Sequence, residues 1–283
     1  PTVYPSVTTW YILTETINST GCSKTDSVKV TVNPLPAASA GSNKSVCTGS
    51  SVSVGATAVS GNTYSWTSSP SGFTSTLANP SVSPTVTTTY QVVETVTATG
   101  CKDSNTVIVT VNSLPAANAG SAKTICNGGN TSIGASAVSG NTYSWTSSPS
   151  GFTSTQANPT VSPTITTTYT LTETITATSC NKSNTLVVTV NPLPNANTGY
   201  AKSICNGGST TIGATAVSGN TYSWTSNPSG FSSTQANPNV SPTTTTTYTL
   251  TETITATGCQ NSNSVTITVN PLPAANTGSP QTI

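Results

Sequence analysis

The sequence predicts an all-β chain of tandem β-sandwiches, and three observations carry that prediction. Single residues recur at a fixed step of 79: Cys22, Cys101, Cys180 and Cys259; Cys47, Cys126 and Cys205; Trp66, Trp145 and Trp224. Within each unit, apolar residues alternate with Ser and Thr, the pattern of strands with one wet face. Turn-forming groups such as Ser60-Gly61-Asn62 and Pro70-Ser71-Gly72 separate the runs. A long fixed period marks an array of similar modules, an arrangement suited to length or multivalency rather than to chemistry.

Residues 36–114, 115–193 and 194–272 read as three complete repeats. Residues 1–35 read as the C-terminal part of another, and 273–283 as the start of a further one. Neither terminus falls at a repeat boundary, so the expectation is a window from a longer chain. Asn33-Pro34-Leu35-Pro36 and its equivalents join the repeats with almost no slack, and their prolines favour extended backbone. An extended rod is expected, advancing about 35–45 Å per repeat at ~3.3 Å per strand residue.

Inside a repeat, Val52-Ser53-Val54 and Tyr64-Ser65-Trp66 alternate. Tyr90, Val92 and Val96 share one parity, and so do Val107, Val109 and Val111. Short strands and regular turns in about 80 residues suggest a sandwich of the immunoglobulin-like type. On that topology Trp66, Trp145 and Trp224 plug the core from the third strand, with Tyr90, Tyr169 and Tyr248 beside them. Sugar stacking by Tyr64 and Trp66 is the weaker alternative.

Composition removes several classes of function. Seven Lys against six acids, with no His, leave no basic footprint for nucleic acid. No apolar run approaches the ~20 residues of a membrane-spanning helix, so no membrane insertion is expected of this segment. Without His, no Ser-His or Cys-His arrangement can be drawn, and carboxylate pairs are missing too. No catalytic residue, cofactor or metal site is expected. Zinc fits poorly, with no CxxC pair among the cysteines. Two cysteines per repeat in turn-rich β sequence point instead to disulfides, and so to an extracellular or cell-surface location.

Residues 64–112, the "ICNGG" of residues 125–129 and 204–208, the "SPT-TTTY" segments and the "GC" before the last strand carry a resemblance. They resemble the PKD-like and immunoglobulin-like tandem repeats of large secreted and cell-surface proteins of Bacteroidota, gliding-associated adhesins among them. The resemblance covers the whole chain and implies a secreted or surface location. It departs from the usual PKD pattern at residues 66–72, where no carboxylate stands, and an inherited calcium site is thereby put in doubt.

Three cysteine pairings fit the spacing. Bonds within repeats would join Cys47–Cys101, Cys126–Cys180 and Cys205–Cys259. Bonds between neighbouring repeats would join Cys47–Cys180 and Cys126–Cys259. A third, Cys22–Cys47, spans the linker and two module lengths. Bonds within a module are the commoner arrangement. The inferred topology, which puts Cys47 and Cys101 at opposite poles of one sandwich, narrowly favours the pairing between neighbours. Both stay open on the sequence.

Lys44, Lys123 and Lys202 recur in phase with Glu94, Glu173 and Glu252, and each Glu shares parity with apolar residues. A buried carboxylate needs a partner, so a Lys–Glu pair is expected, or else a strand bulge that turns the Glu outward. A sharper alternative is a Lys–Asn isopeptide with the Glu as proton-transfer group. Several Asn sequons, such as Asn130-Thr131-Ser132, leave glycosylation open. The sequence thus predicts a non-catalytic segment of a long extracellular fibre or adhesin stalk. The alternatives are a multivalent array binding carbohydrate or cells, and a spacer of a secreted hydrolase. Expected partners are neighbouring repeats, identical chains in a filament, and surface glycans.

Overall fold

The computed structural model describes residues 1–275 and 278, and every element among them is a strand. The proposed start of a further repeat at 273–283 lies mostly outside the described residues. Two strands, β1 (Thr9–Thr16) and β2 (Ser23–Val30), pair as an antiparallel hairpin. The first complete repeat follows with β3 (Lys44–Cys47), β4 (Val52–Ser53), β5 (Asn62–Ser69), β6 (Ser81–Val82), β7 (Thr88–Val96) and β8 (Lys102–Asn112).

Its larger sheet has the order β3-β8-β7-β5. The β3–β8 pair is parallel and the other two pairs are antiparallel. β4 and β6 form the opposing two-stranded sheet. This strand order, with a short first strand lying parallel to the last and the Trp strand at the sheet edge, is that of an immunoglobulin-like sandwich.

The next repeat holds β9 (Lys123–Cys126), β10 (Thr131–Ser132), β11 (Asn141–Ser148), β12 (Thr160–Val161), β13 (Thr167–Ile175) and β14 (Asn181–Asn191), in sheets β11-β13-β14-β9 and β10-β12. The third holds β15 (Lys202–Cys205), β16 (Thr210–Thr211), β17 (Asn220–Asn227), β18 (Ser232–Ser233), β19 (Asn239–Val240), β20 (Thr246–Ile254) and β21 (Gln260–Asn270). Its sheets are β15-β21-β20-β17-β18 and β16-β19.

Alternation sets the inside of each sandwich. Thr88, Tyr90, Val92 and Glu94 on β7 are buried, and the residues between them are not. Trp66 fills the centre with Val54, Val82, Tyr90, Val92, Val107 and Val109 around it, and Trp145 and Trp224 anchor matching clusters. Each indole finds the acceptor a buried N–H requires: Trp66 Nε1 donates to the carbonyl of Leu77 at 2.8 Å, and its equivalents donate to Gln156 and Gln235. Phe73 meets Tyr90 edge to face at 5.3 Å. Gly55 has φ +90°, and a Cβ there would run into the Ala78 carbonyl and the Trp66 ring, so the position admits only glycine.

The chain divides into two compact units. One is Pro1–Pro115 with Thr174–Asn181, and the other is Ala116–Glu173 with Lys182–Ile283. The turn that carries Cys180 thus groups with the repeat that carries Cys47.

Candidate functional site: the disulfides between repeats

Cys47 ends β3. The parallel pairing with β8 places it opposite Asn112, and the N–H of Thr48 donates to the Asn112 carbonyl at 2.9 Å. The second cysteine of a repeat sits in the tight turn between the last two long strands. There the Cys180 carbonyl accepts from Ile175 N–H at 2.9 Å, and its own N–H reaches the Thr178 hydroxyl at 3.4 Å. The structure joins Cys47 to Cys180 with a Cα–Cα distance of 5.6 Å, and Cys126 to Cys259 at 5.5 Å. Both distances lie within the span a disulfide needs. Each bond closes a sequence separation of 133 residues and links one repeat to the next.

Pairing within repeats does not occur. Cys101 and Cys205, which it requires, are free, as is Cys22, so the bond across the linker is absent too. The two bonds overlap along the chain, because Cys126 lies inside the first loop and Cys180 inside the second. Residues 126–180 are therefore enclosed by both. Two disulfides suit an oxidising environment.

The expected Lys–Glu pairs are corrected by the structure. Glu94, Glu173 and Glu252 are buried as their parity requires, but the Lys residues do not reach them. In the first repeat the strand order interposes β8 between β3, which carries Lys44, and β7, which carries Glu94. Lys44, Lys123 and Lys202 are exposed, and Lys202 Nζ donates to the Thr211 carbonyl at 2.8 Å. The isopeptide alternative fails for the same reason, since it needs a buried Lys.

An asparagine replaces the lysine as partner. Asn62, Asn141 and Asn220 open the Trp strand, and each side-chain amide donates to its Glu at 2.7 Å. In the second and third repeats the other carboxylate oxygen accepts the backbone N–H of Ala117 or Ala196, also at 2.7 Å. Tyr64 adds its hydroxyl to Glu94 in the first repeat. The carboxylate thus pins the incoming linker to the sheet with charge-assisted bonds. Among the described residues no buried side-chain N or O lacks a partner. The recurrence of Asn-Thr-Tyr-Ser-Trp at the 79-residue step was the available signal for this role.

Trp66, Trp145 and Trp224 are buried, which removes them from any sugar-stacking surface. Burial pushes the phenol pKa of Tyr90, Tyr169 and Tyr248 up, and hydrogen bonds with Thr88, Thr167 and Thr246 offset part of the rise. One surface groove recurs in every complete repeat, of about 360 Å³ beside Phe73 and Pro84, 390 Å³ beside Phe152 and Pro163, and 470 Å³ beside Phe231 and Pro242. Hydroxyls of Ser and Thr line it, and it holds no charged residue.

No family model and no curated protein matches the chain. Among solved structures it is similar to the titin fragment I67–I69, at 10% identity and TM-score 0.40 over 81% of this chain and 96% of that one. It is also similar to extracellular domains 3–5 of Drosophila OTK, at 10% identity and TM-score 0.31 over 82% and 96%. The three N-terminal domains of the outer capsid protein Hoc of bacteriophage RB49 align at 12% identity and TM-score 0.33 over 79% and 95%. At such scores the class of the protein, tandem immunoglobulin-like sandwiches, rests on the strand order and register described above.

Proposed function

We propose that the chain is a non-catalytic structural segment of a long extracellular fibre or adhesin stalk. The observation that carries this reading is the pair of overlapping disulfides that ties each repeat to its neighbour. A bond within a sandwich would stabilise that sandwich alone. A bond between repeats instead opposes their separation and shortens the chain that tension can draw out. Short Pro-bearing linkers serve the same end, and the resemblance to PKD-like surface repeats of Bacteroidota fits it. Electron microscopy of the native material, labelled with an antibody to this segment, tests the reading. Surface filaments with an axial step of about 35–45 Å per repeat are expected. Label confined to compact particles with a separate globular head would make these repeats the spacer of another activity, such as a secreted hydrolase.

The recurrent uncharged groove beside Phe73, Phe152 and Phe231 favours a second reading, an array that grips neutral glycans weakly and gains by multivalency. Retardation of the chain in gels containing neutral polysaccharides, abolished in a Phe73→Ala, Phe152→Ala, Phe231→Ala variant, would support it. Unchanged mobility in every polysaccharide would end it.

A further inference from the structure

The turn after the strand-end cysteine has one form in all three complete repeats. The N–H of Ser50, Gly129 and Gly208 donates back to the carbonyl of Cys47, Cys126 and Cys205 at 2.9 Å. A glycine stands before each of these donors, with φ +86° at Gly49, +84° at Gly128 and +88° at Gly207. What differs is the residue ahead of that glycine: Thr48 in the first repeat, Asn127 and Asn206 in the other two. These form the only Asn-Gly pairs in the sequence.

An Asn side chain holds its amide carbon within reach of the next backbone nitrogen, and attack there closes a five-membered ring at high effective concentration. Three observations leave that attack unhindered at these turns. Asn127 and Asn206 are exposed, Asn127 even though Cys126 beside it is bonded to Cys259. Among the described residues, no hydrogen bond holds either side-chain amide, or the N–H of Gly128 or Gly207. The attacking residue is a glycine, with no Cβ to obstruct the approach. Ring closure has only the one hydrogen bond across the turn to stretch. Other asparagines lack this combination. Asn62, Asn141 and Asn220 have their amides held by a Glu at 2.7 Å. Asn130 is exposed but precedes the β-branched Thr131. In the first repeat Thr48 has no amide, and its hydroxyl donates to the Asn112 carbonyl at 3.0 Å.

From this we infer that Asn127 and Asn206 are sites of self-modification, which the chain's own backbone converts to Asp and isoaspartate with water as the co-reactant. The Gly128 nitrogen gives up its proton to solvent base and bonds to Asn127 Cγ. The Cγ–Nδ2 bond breaks, and ammonia leaves with a proton returned by solvent, so a cyclic imide remains. Water then adds to one imide carbonyl and breaks that carbon's bond to the Gly128 nitrogen. Opening on the side-chain carbonyl gives Asp. Opening on the main-chain carbonyl gives isoaspartate, with the chain rerouted through Cγ. Nothing is oxidised or reduced. Each conversion adds about 1 Da and one negative charge, so two conversions take the formal net charge from +1 to −1. The second and third repeats thus acquire with age a charge beside the strand-end cysteine that the first never acquires. The inference does not rest on the stalk reading.

The test is storage of the purified 283-residue chain, disulfides intact, in warm, mildly alkaline buffer made with oxygen-18 water. Samples taken over time are read by isoelectric focusing and by peptide mapping with tandem mass spectrometry. The expected result is conversion at Asn127 and Asn206 ahead of every other Asn, each product carrying one heavy oxygen. Focusing should show two successive acidic steps. The Asn127→Thr, Asn206→Thr double variant copies the turn of the first repeat. It is expected to keep the circular dichroism of the parent chain and to lose both steps. Asn127 and Asn206 remaining as amides, conversion at Asn130 or another Asn at an equal pace, or acidic steps that persist in the double variant would each overturn the inference. All three outcomes leave the disulfides, and the reading built on them, intact.

Discussion

The hairpins β1–β2 and β13–β14 share one pattern of alternation but lie in different surroundings. Leu13 is 68% exposed and its equivalent Leu171 is 1% exposed; Val28 is 60% exposed and Leu186 is 4%. Glu15 is exposed, whereas Glu173 is buried and held by Asn141 and the Ala117 N–H. The difference lies in what covers the apolar face. β11 brings Trp145 and Asn141 against β13, and β10 with β12 closes the opposite side. Residues 1–35 hold only the strands equivalent to β13 and β14, and among the described residues nothing stands in the places of β10, β11 and β12 beside them. Alternation therefore makes a strand, while burial is supplied by residues far away in the sequence.

The sharpest way to break the contrast is to remove the plug. Trp145→Ala should cost about 3–5 kcal/mol, and amide exchange across β13–β14 should rise toward that of β1–β2, as hydrogen-exchange mass spectrometry would show. Next, in the 283-residue chain taken by itself, Leu171→Ala should cost about 2–5 kcal/mol, while Leu13→Ala should stay within about 0.5 kcal/mol in the same thermal scan. Equal losses at the two sites would erase the contrast.

A smaller effect is expected at the carboxylate. Glu173→Gln offers an amide N–H where the Ala117 N–H or the Asn141 amide needs an acceptor, a mismatch worth about 1–3 kcal/mol. In the same 283-residue chain, Glu15→Gln should change stability by less than about 0.5 kcal/mol.

The smallest effect comes from alkali. The buried phenols of Tyr90, Tyr169 and Tyr248 have a folded pKa above the ordinary 10.0. The folded state then holds the proton to higher pH than the unfolded chain. That contribution to stability is constant below about pH 10 and is lost as pH rises through the folded values. Melting temperature followed against tyrosinate absorbance checks the direction.

The repeat, the strands and the Trp plug were legible because period-two alternation and a fixed step leave marks on single residues such as Trp66 and Val107. The two-residue strand β6 left a weaker mark, Ser81-Val82 being too brief a run to show a period, whereas the alternation of Val52-Ser53-Val54 marked β4. The Glu partner was misassigned because charge recurrence pointed to Lys44. The true donor, Asn62, is a turn-flanking residue whose inward aim depends on the β5–β7 register. Cysteine pairing was constrained but not decided by spacing, since it turns on which poles of two sandwiches meet.

Stretching the single chain between its ends, with and without reductant, tests most directly whether the repeats are tied to one another. With both bonds intact, the shortest covalent path runs to Cys47, crosses to Cys180, returns to Cys126, crosses to Cys259 and continues to the end. That is about 125 of 283 residues, or roughly 420 Å at about 3.4 Å per residue. The unreduced chain should stop near that length, and the reduced chain should extend to about 960 Å. An unreduced chain that reaches the longer value would show that the repeats are not joined in this way, and the stalk reading would lose its support.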